Sequence, residues 1–142
     1  MVSSTDNREP PSGVGGWLLL LCALLLVWQP VVLGVVATNA GHSLASRGAA
    51  FVVLLAARVL ATSAGIAAGI ALMGRAGTAL PLTKIALTLV TAVDVFVYST
   101  PYFPNNRVPG EAPLFVAATL ANYVVWMVYL ARSRRVRATF DE

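Results

Sequence analysis

Four strongly polar side chains lie inside long apolar stretches of the sequence: Gln29, Arg58, Asp94 and Asn122. Polar groups in hydrocarbon are expensive, so they usually face neighbouring helices or a water-filled cavity. A carboxylate and a guanidinium at such depth could form an ion or proton path. Amides could instead join helices through hydrogen bonds worth about 0.6–2 kcal/mol each. We prefer helix association as the interpretation and keep a candidate intramembrane polar cluster as the alternative.

Asp94 is expected to face the interior of the protein, because an unpaired carboxylate in hydrocarbon is costly. The rise of an α-helix separates Asp94 and Arg58 by about 4–6 Å in height, which an extended arginine side chain can span. Two other interpretations stay open. Gln29 lies at nearly the same height and could bond Asp94 instead. Arg58 leans toward the start of its helix and could reach the lipid headgroups.

No catalytic, cofactor-binding or metal-binding residue is predicted. Ser43, Ser46 and Ser99 have no recognisable base arranged with them, and the sequence has no Gly-x-Ser-x-Gly motif. His42 has no second histidine or cysteine near it. Cys22 is the single cysteine, so it cannot form an intrachain disulfide. An enzyme therefore ranks below every other class considered.

The elements that must position the polar residues follow from the composition. The chain has 142 residues, of which 58% are apolar and 11% charged, and its mean hydropathy is +0.77. A soluble domain carries about 25% charged residues. A lipid environment removes the need for a charged surface, and it requires each backbone polar group to be bonded internally. We therefore predict an all-α fold, an integral membrane four-transmembrane-helix bundle.

The predicted spans are apolar stretches long enough to cross a bilayer, for which about 20 residues suffice. A disordered lead is expected at 1–14. The four helices are expected at about 15–38, 48–74, 82–100 and 112–131, and a basic cytoplasmic tail is expected at 132–142. Pro30 lies inside the first span, where membrane helices tolerate a proline kink. A cleaved signal peptide is the alternative for this span, but its apolar run is longer than the usual 7–15 residues.

The distribution of lysine and arginine predicts the orientation. With four spans, both termini and the connector near residues 75–84 share one side. That side holds seven basic residues: Arg8, Arg75, Lys84, Arg132, Arg134, Arg135 and Arg137. The other side holds two, Arg47 and Arg107. Both termini are therefore expected in the cytoplasm.

Two further features indicate contacts of the bundle. Gly65 and Gly69 are four residues apart on the second span, and small residues at this spacing let helix backbones approach closely. Packing within the chain is the preferred interpretation, and dimerisation is the alternative. Arg132, Arg134, Arg135 and Arg137 follow the last span, where each can contribute about 1 kcal/mol of attraction to an anionic leaflet. A protein partner at this tail stays possible, because Val136 and Phe140 interleave with the charges.

Both ends of the chain resemble one known family. The start, Gly15-Gly16-Trp17-Leu18, runs into a long apolar helix that reaches Pro30. The end has Trp126 and Tyr129, then the segment Ser133-Arg134-Arg135-Val136-Arg137-Ala138-Thr139-Phe140. These segments resemble the entry and the Ser-Lys/Arg-Arg-Val-x-x-Thr-Phe tail of the family catalogued as domain of unknown function 2569. The resemblance implies a four-helix protein of the bacterial inner (plasma) membrane, and it implies no activity.

Two function classes follow. The first is a non-enzymatic membrane component, either an accessory subunit or a self-associating bundle. The second is a small transporter or channel-forming oligomer that uses Arg58 and Asp94. The expected partners are the lipid bilayer, anionic lipid headgroups at the tail, and a second copy or another membrane protein. A nucleic-acid partner is not expected, because no basic face with interleaved aromatic residues occurs.

Overall fold

The computed structural model describes residues 13–42, 46–102 and 108–140. Within these ranges the chain forms four long helices and one short one, named here α1 (Trp17–Gly41), α2 (Gly48–Met73), α3 (Ala79–Ser99), α4 (Ala112–Arg132) and α5 (Arg134–Phe140). The four long helices are each long and apolar enough to cross a membrane. The predicted all-α, four-span architecture is confirmed.

The helix limits differ from the predicted ones in places that have physical reasons. Helix α3 begins at Ala79 rather than near residue 82, because Pro81 lies in its first turn, where a missing N–H costs nothing. Helix α1 continues to Gly41, past the predicted end at residue 38. The tail, expected as a basic extension, is helical over Arg134–Phe140. Residues 1–12 of the predicted disordered lead lie outside the described ranges, as do Ser43 and Arg107.

A π-helical turn interrupts α1 over Leu24–Trp28, just before Pro30. The proline has no backbone N–H, and its ring would clash with the carbonyl of Leu26 in a regular α-helix. A wider turn relieves this conflict without breaking the helix, since π-bulges are a common cause of local helix distortion. Pro30 therefore distorts this span, as the sequence indicated, through a widened turn of the helix.

Helix α2 forms the centre of the bundle, since it packs along both α1 and α3, and α3 packs in turn along α4. Gly65 and Gly69 face α1. A Cβ atom at Gly69 would lie 2.6 Å from Leu26 Cγ, and one at Gly65 would lie 3.5 Å from Leu25 Cδ2. The structure therefore uses this pair for packing between α1 and α2 of the same chain.

Both described ends of the chain meet at one end of the bundle, called here the terminal end. The Gly13 N–H donates to Thr139 Oγ1 over 3.1 Å, and Val136 of α5 is fully buried against the ends of the long helices. The Trp17 and Trp126 rings meet edge to face with centroids 6.4 Å apart. Helix α5 is therefore a folded part of the bundle.

Helix α2 reaches the terminal end in a Schellman motif. The Ala76 N–H donates to the Ala71 carbonyl, and the Arg75 N–H donates to the Leu72 carbonyl. The motif requires a left-handed residue, usually glycine, at the position after the C-cap. Here Arg75 occupies it with φ of 51°, at a cost of about 1–2 kcal/mol relative to a right-handed conformation. The left-handed backbone conformation sets the direction in which the chain turns away from α2 at Arg75.

Candidate polar site between the spans

The guanidinium of Arg58 and the carboxylate of Asp94 form an ion pair between α2 and α3, with Nη2 and Oδ1 3.1 Å apart. The two side chains are only 12% and 18% exposed. The electrostatic attraction at this distance offsets part of the cost of placing each charge among apolar helices. Arg58 therefore turns inward to Asp94, and the alternative in which it extends to the headgroups does not occur.

The pair forms although the two side chains lean toward opposite ends of the bundle. Helices α2 and α3 are joined by a short connector, so they run antiparallel, and side chains point toward the start of their own helix. The close packing of α2 on α3 and the length of the arginine side chain overcome this opposition. Gln29, the alternative partner, makes no hydrogen bond to Asp94.

A cavity of about 280 Å³ lies between α1, α3 and α4 on the side of Asp94 away from Arg58. Polar side chains from all three helices line it, and we call them the polar seam: Gln29, Thr91, Asp94, Thr119 and Asn122. Trp28 and Phe115 add aromatic walls. No residue of α2 contributes to the lining, so the cavity meets the carboxylate of the ion pair and not its guanidinium.

The amides of the polar seam keep unused hydrogen-bonding capacity. Asn122 Oδ1 accepts from Trp126 Nε1 over 3.1 Å, which leaves both N–H groups of the Asn122 amide without a partner among the described residues. The Gln29 amide has no hydrogen bond to any described residue. Asn122 is exposed and Gln29 is half-buried. Polar atoms that can donate and accept therefore line an opening between the spans.

The opening exists because α1 and α4 come close to one another at few points. They meet through Trp17 and Trp126 at the terminal end, and the cavity separates them farther along. Helix α4 is also the least covered span, with 11% of its most apolar stretch buried inside the chain, against 28% for α2. The polar seam is therefore left uncovered, because α1 and α4 do not pack along each other over its length.

The four polar residues singled out in the sequence thus divide into two groups. Arg58 and Asp94 form the ion pair, while Gln29, Asn122 and the other face of Asp94 line the cavity. Sequence reasoning missed Thr91 as part of this site. Its position three residues before Asp94, on the same face of a helix, was the available signal.

The basic tail is folded at the terminal end. Arg132, Arg134 and Arg137 are exposed, and Arg137 Nη2 approaches the Arg132 carbonyl at 3.4 Å. Arg135 is half-buried, and its Nη1 lies 2.9 Å from the place that a Cβ on Gly15 would occupy. The two sequence segments that carry the family resemblance are therefore in contact.

The remaining candidate residues lie apart from the polar seam. Cys22 is buried in α1, and His42 is exposed at the end of the same helix. Ser99 Oγ donates to the Val95 carbonyl of its own helix over 2.7 Å. Among the described residues, no three His, Cys, Asp or Glu side chains are grouped so that they could hold a metal ion.

No protein-family model matches the chain, no curated protein matches its sequence, and no solved structure matches its fold. The resemblance to the family of domain of unknown function 2569 rests on the two end segments of the sequence alone.

Proposed function

We propose that the chain is a non-enzymatic membrane component that associates with a second copy of itself through the polar seam. The observation that carries this proposal is that Gln29 and Asn122 have amide groups without hydrogen-bond partners among the described residues, in a bundle whose spans expose many large apolar side chains. In hydrocarbon such groups favour a polar partner, and asparagine and glutamine often supply hydrogen bonds across helix interfaces.

A two-fold arrangement would satisfy both amides at once. An isologous contact brings the same patch of both copies together, so Gln29 of each copy can face Asn122 of the other. With the two-fold axis along the membrane normal, this contact needs similar heights in the bilayer. By helix rise the two residues differ by only about 4–6 Å. Self-association would also cover α4, the span with the least intrachain burial.

The test is the protein mass of the purified chain in detergent, measured by light scattering with correction for bound detergent. The wild type should have a mass of at least twice 14.9 kDa. Gln29→Leu and Asn122→Leu should each shift the particle toward the monomer. Ser63→Leu is the matched control, because Ser63 is an exposed polar residue of α2 outside the polar seam. A wild-type monomer would contradict self-association.

The second candidate function is a small transporter or channel-forming oligomer, and the cavity beside Asp94 favours it. Its volume of about 280 Å³ suits a small polar solute, and a carboxylate and two amides could orient that solute. A monomeric wild type would support this function over self-association if one class of solute raised its melting temperature. Asn122→Leu should remove that rise.

The location and orientation belong to the same proposal. The family resemblance supports a bacterial inner membrane, and the excess of lysine and arginine at the terminal end supports cytoplasmic termini. In this orientation the basic tail meets the leaflet that carries the negative surface potential, which favours contact with anionic lipids.

A further inference from the structure

Two guanidinium groups from distant parts of the sequence lie against one glycine-rich segment at the terminal end. We call residues 13–16 the glycine ledge. Arg75 Nη2 lies 2.9 Å from the place of a Cβ on Gly13, and Arg135 Nη1 lies 2.9 Å from that of Gly15. The Cα atoms of these two glycines are at most about 7 Å apart. Arg75 and Arg135 therefore occupy neighbouring positions on one small surface.

The guanidinium positions depend on the absence of side chains at this segment. A Cβ at Gly13 or Gly15 would lie 2.9 Å from a guanidinium nitrogen, so that end of the arginine side chain would have to shift. Gly13 also has φ of 106° and Gly16 has φ of 57°, conformations that other residues rarely adopt. The Gly-Gly-Trp entry to α1 thus serves to seat arginine side chains as well as to begin a span.

Neither guanidinium is neutralised within the described part of the chain. No hydrogen bond or ion pair to a described residue engages Arg75 or Arg135 through its side chain. The described acidic residues are Asp94, which pairs with Arg58 inside the bundle, and Glu111, which precedes α4 at the opposite end. Each guanidinium therefore keeps donors that match the oxygens of a phosphate.

The site is held in place by three elements. The Schellman motif at the end of α2 directs Arg75 toward the glycine ledge. Arg135 belongs to α5, which is anchored by the buried Val136. The bond from the Gly13 N–H to Thr139 Oγ1 ties the glycine ledge to α5. Such prior ordering reduces the entropy lost when a ligand binds.

We propose that Arg75 and Arg135, on the glycine ledge, form a binding site for the phosphate group of an anionic phospholipid. The glycine ledge lies where α1 begins, beside Trp17, which is 64% exposed, as expected of an aromatic residue at a membrane interface. A phosphate there can receive paired N–H donors while its acyl chains lie along the apolar spans. This position favours a lipid headgroup over free phosphate. The site does not depend on self-association through the polar seam.

The experiment measures retained lipid. The full chain is purified in detergent with equal amounts of phosphatidylglycerol and phosphatidylcholine, and the bound lipid is counted by native mass spectrometry. The wild type should retain phosphatidylglycerol selectively. Arg75→Gly and Arg135→Gln should each lower that retention at least about tenfold, the factor that corresponds to the loss of one hydrogen bond to a charged group, about 1.5 kcal/mol. Arg134→Gln, at an exposed position of the same helix, is the control and should retain lipid as the wild type does.

Two variants separate the site from general charge or folding effects. Arg75→Gly places glycine where the backbone is left-handed, so lipid retention should fall while thermal stability in lipid-free detergent is kept. Gly15→Ala keeps every charge but displaces the Arg135 guanidinium, so it should also lower retention.

Three results would overturn the proposal. In the first, Arg134→Gln weakens retention as much as Arg135→Gln, which would indicate non-specific attraction. In the second, neither Arg75→Gly nor Arg135→Gln affects retention. In the third, inorganic phosphate raises the melting temperature through these two arginines as much as phosphatidylglycerol does, which would indicate a site for free phosphate.

Discussion

At the scale of single residues, the two charges that lie in the middle of the described spans, Arg58 and Asp94, meet each other. The ion pair of Arg58 and Asp94 joins the two helices that pack most closely. Because burying charge is expensive, such a pair contributes less to the net stability than its short distance implies. We expect its main effect to be on specificity, since an α2–α3 packing that separated the partners would leave a charge alone in hydrocarbon.

This argument predicts the outcome of a double-mutant cycle. Arg58→Met and Asp94→Asn should each lower the free energy of unfolding in detergent by about 3 kcal/mol, the low end of the range for a buried pair because some exposure remains. The double variant should be more stable than the sum of the two losses predicts. Simple additivity of the two single changes would show that the pair contributes no coupling.

At the scale of elements, α1 combines two features that adapt it to its neighbours. Its π-helical turn accommodates Pro30, and residues of this turn line the cavity on one side. On another side, Leu25 and Leu26 from the same turn face the glycines of α2. A single widened turn therefore contributes both to the packing of α1 on α2 and to the polar opening toward α4.

The two glycines of α2 should differ in their tolerance of a methyl group. Gly69→Ala should lower the stability in detergent by about 1–3 kcal/mol, because the new Cβ would overlap Leu26 Cγ at a branch point that cannot easily move. Gly65→Ala should leave the stability unchanged or raise it by up to about 1 kcal/mol, since its Cβ would make an ordinary contact and alanine favours the helix. Thermal unfolding of both variants checks this, and equal losses would contradict the assigned packing.

At the scale of the whole molecule, the bundle is asymmetric in charge from one end to the other. Among the described residues the terminal end carries Arg75, Lys84 and the arginines of the tail, and its described surface holds no acidic side chain. Helix α5 is folded against this end instead of extending away from it. The basic residues that the positive-inside rule relates to orientation therefore lie together on the folded surface of the terminal end.

We expect both termini in the cytoplasm, for the reason that basic flanking residues resist transfer across the membrane. A reporter enzyme that is active only outside the cytoplasm should be silent when fused after Glu142. The same reporter inserted between the end of α3 and the start of α4, on the opposite side, should be active and serves as the control. Activity of the fusion after Glu142 would reverse the orientation.

The sequence by itself determined the four spans and the all-α class. An apolar stretch of about 20 residues is long enough to cross a bilayer, and in lipid its backbone polar groups must be hydrogen-bonded within the protein, which a helix achieves within a single segment. It also indicated the four polar residues, since any such group in an apolar stretch is conspicuous. Only the tertiary structure decided how these residues are paired. The helix lean opposes contact between Arg58 and Asp94, and the packing distance of α2 and α3 overcomes it. The gap between α1 and α4, the folded position of α5 and the seating of Arg75 and Arg135 on glycine likewise depend on contacts between segments far apart in the chain, which no local pattern encodes.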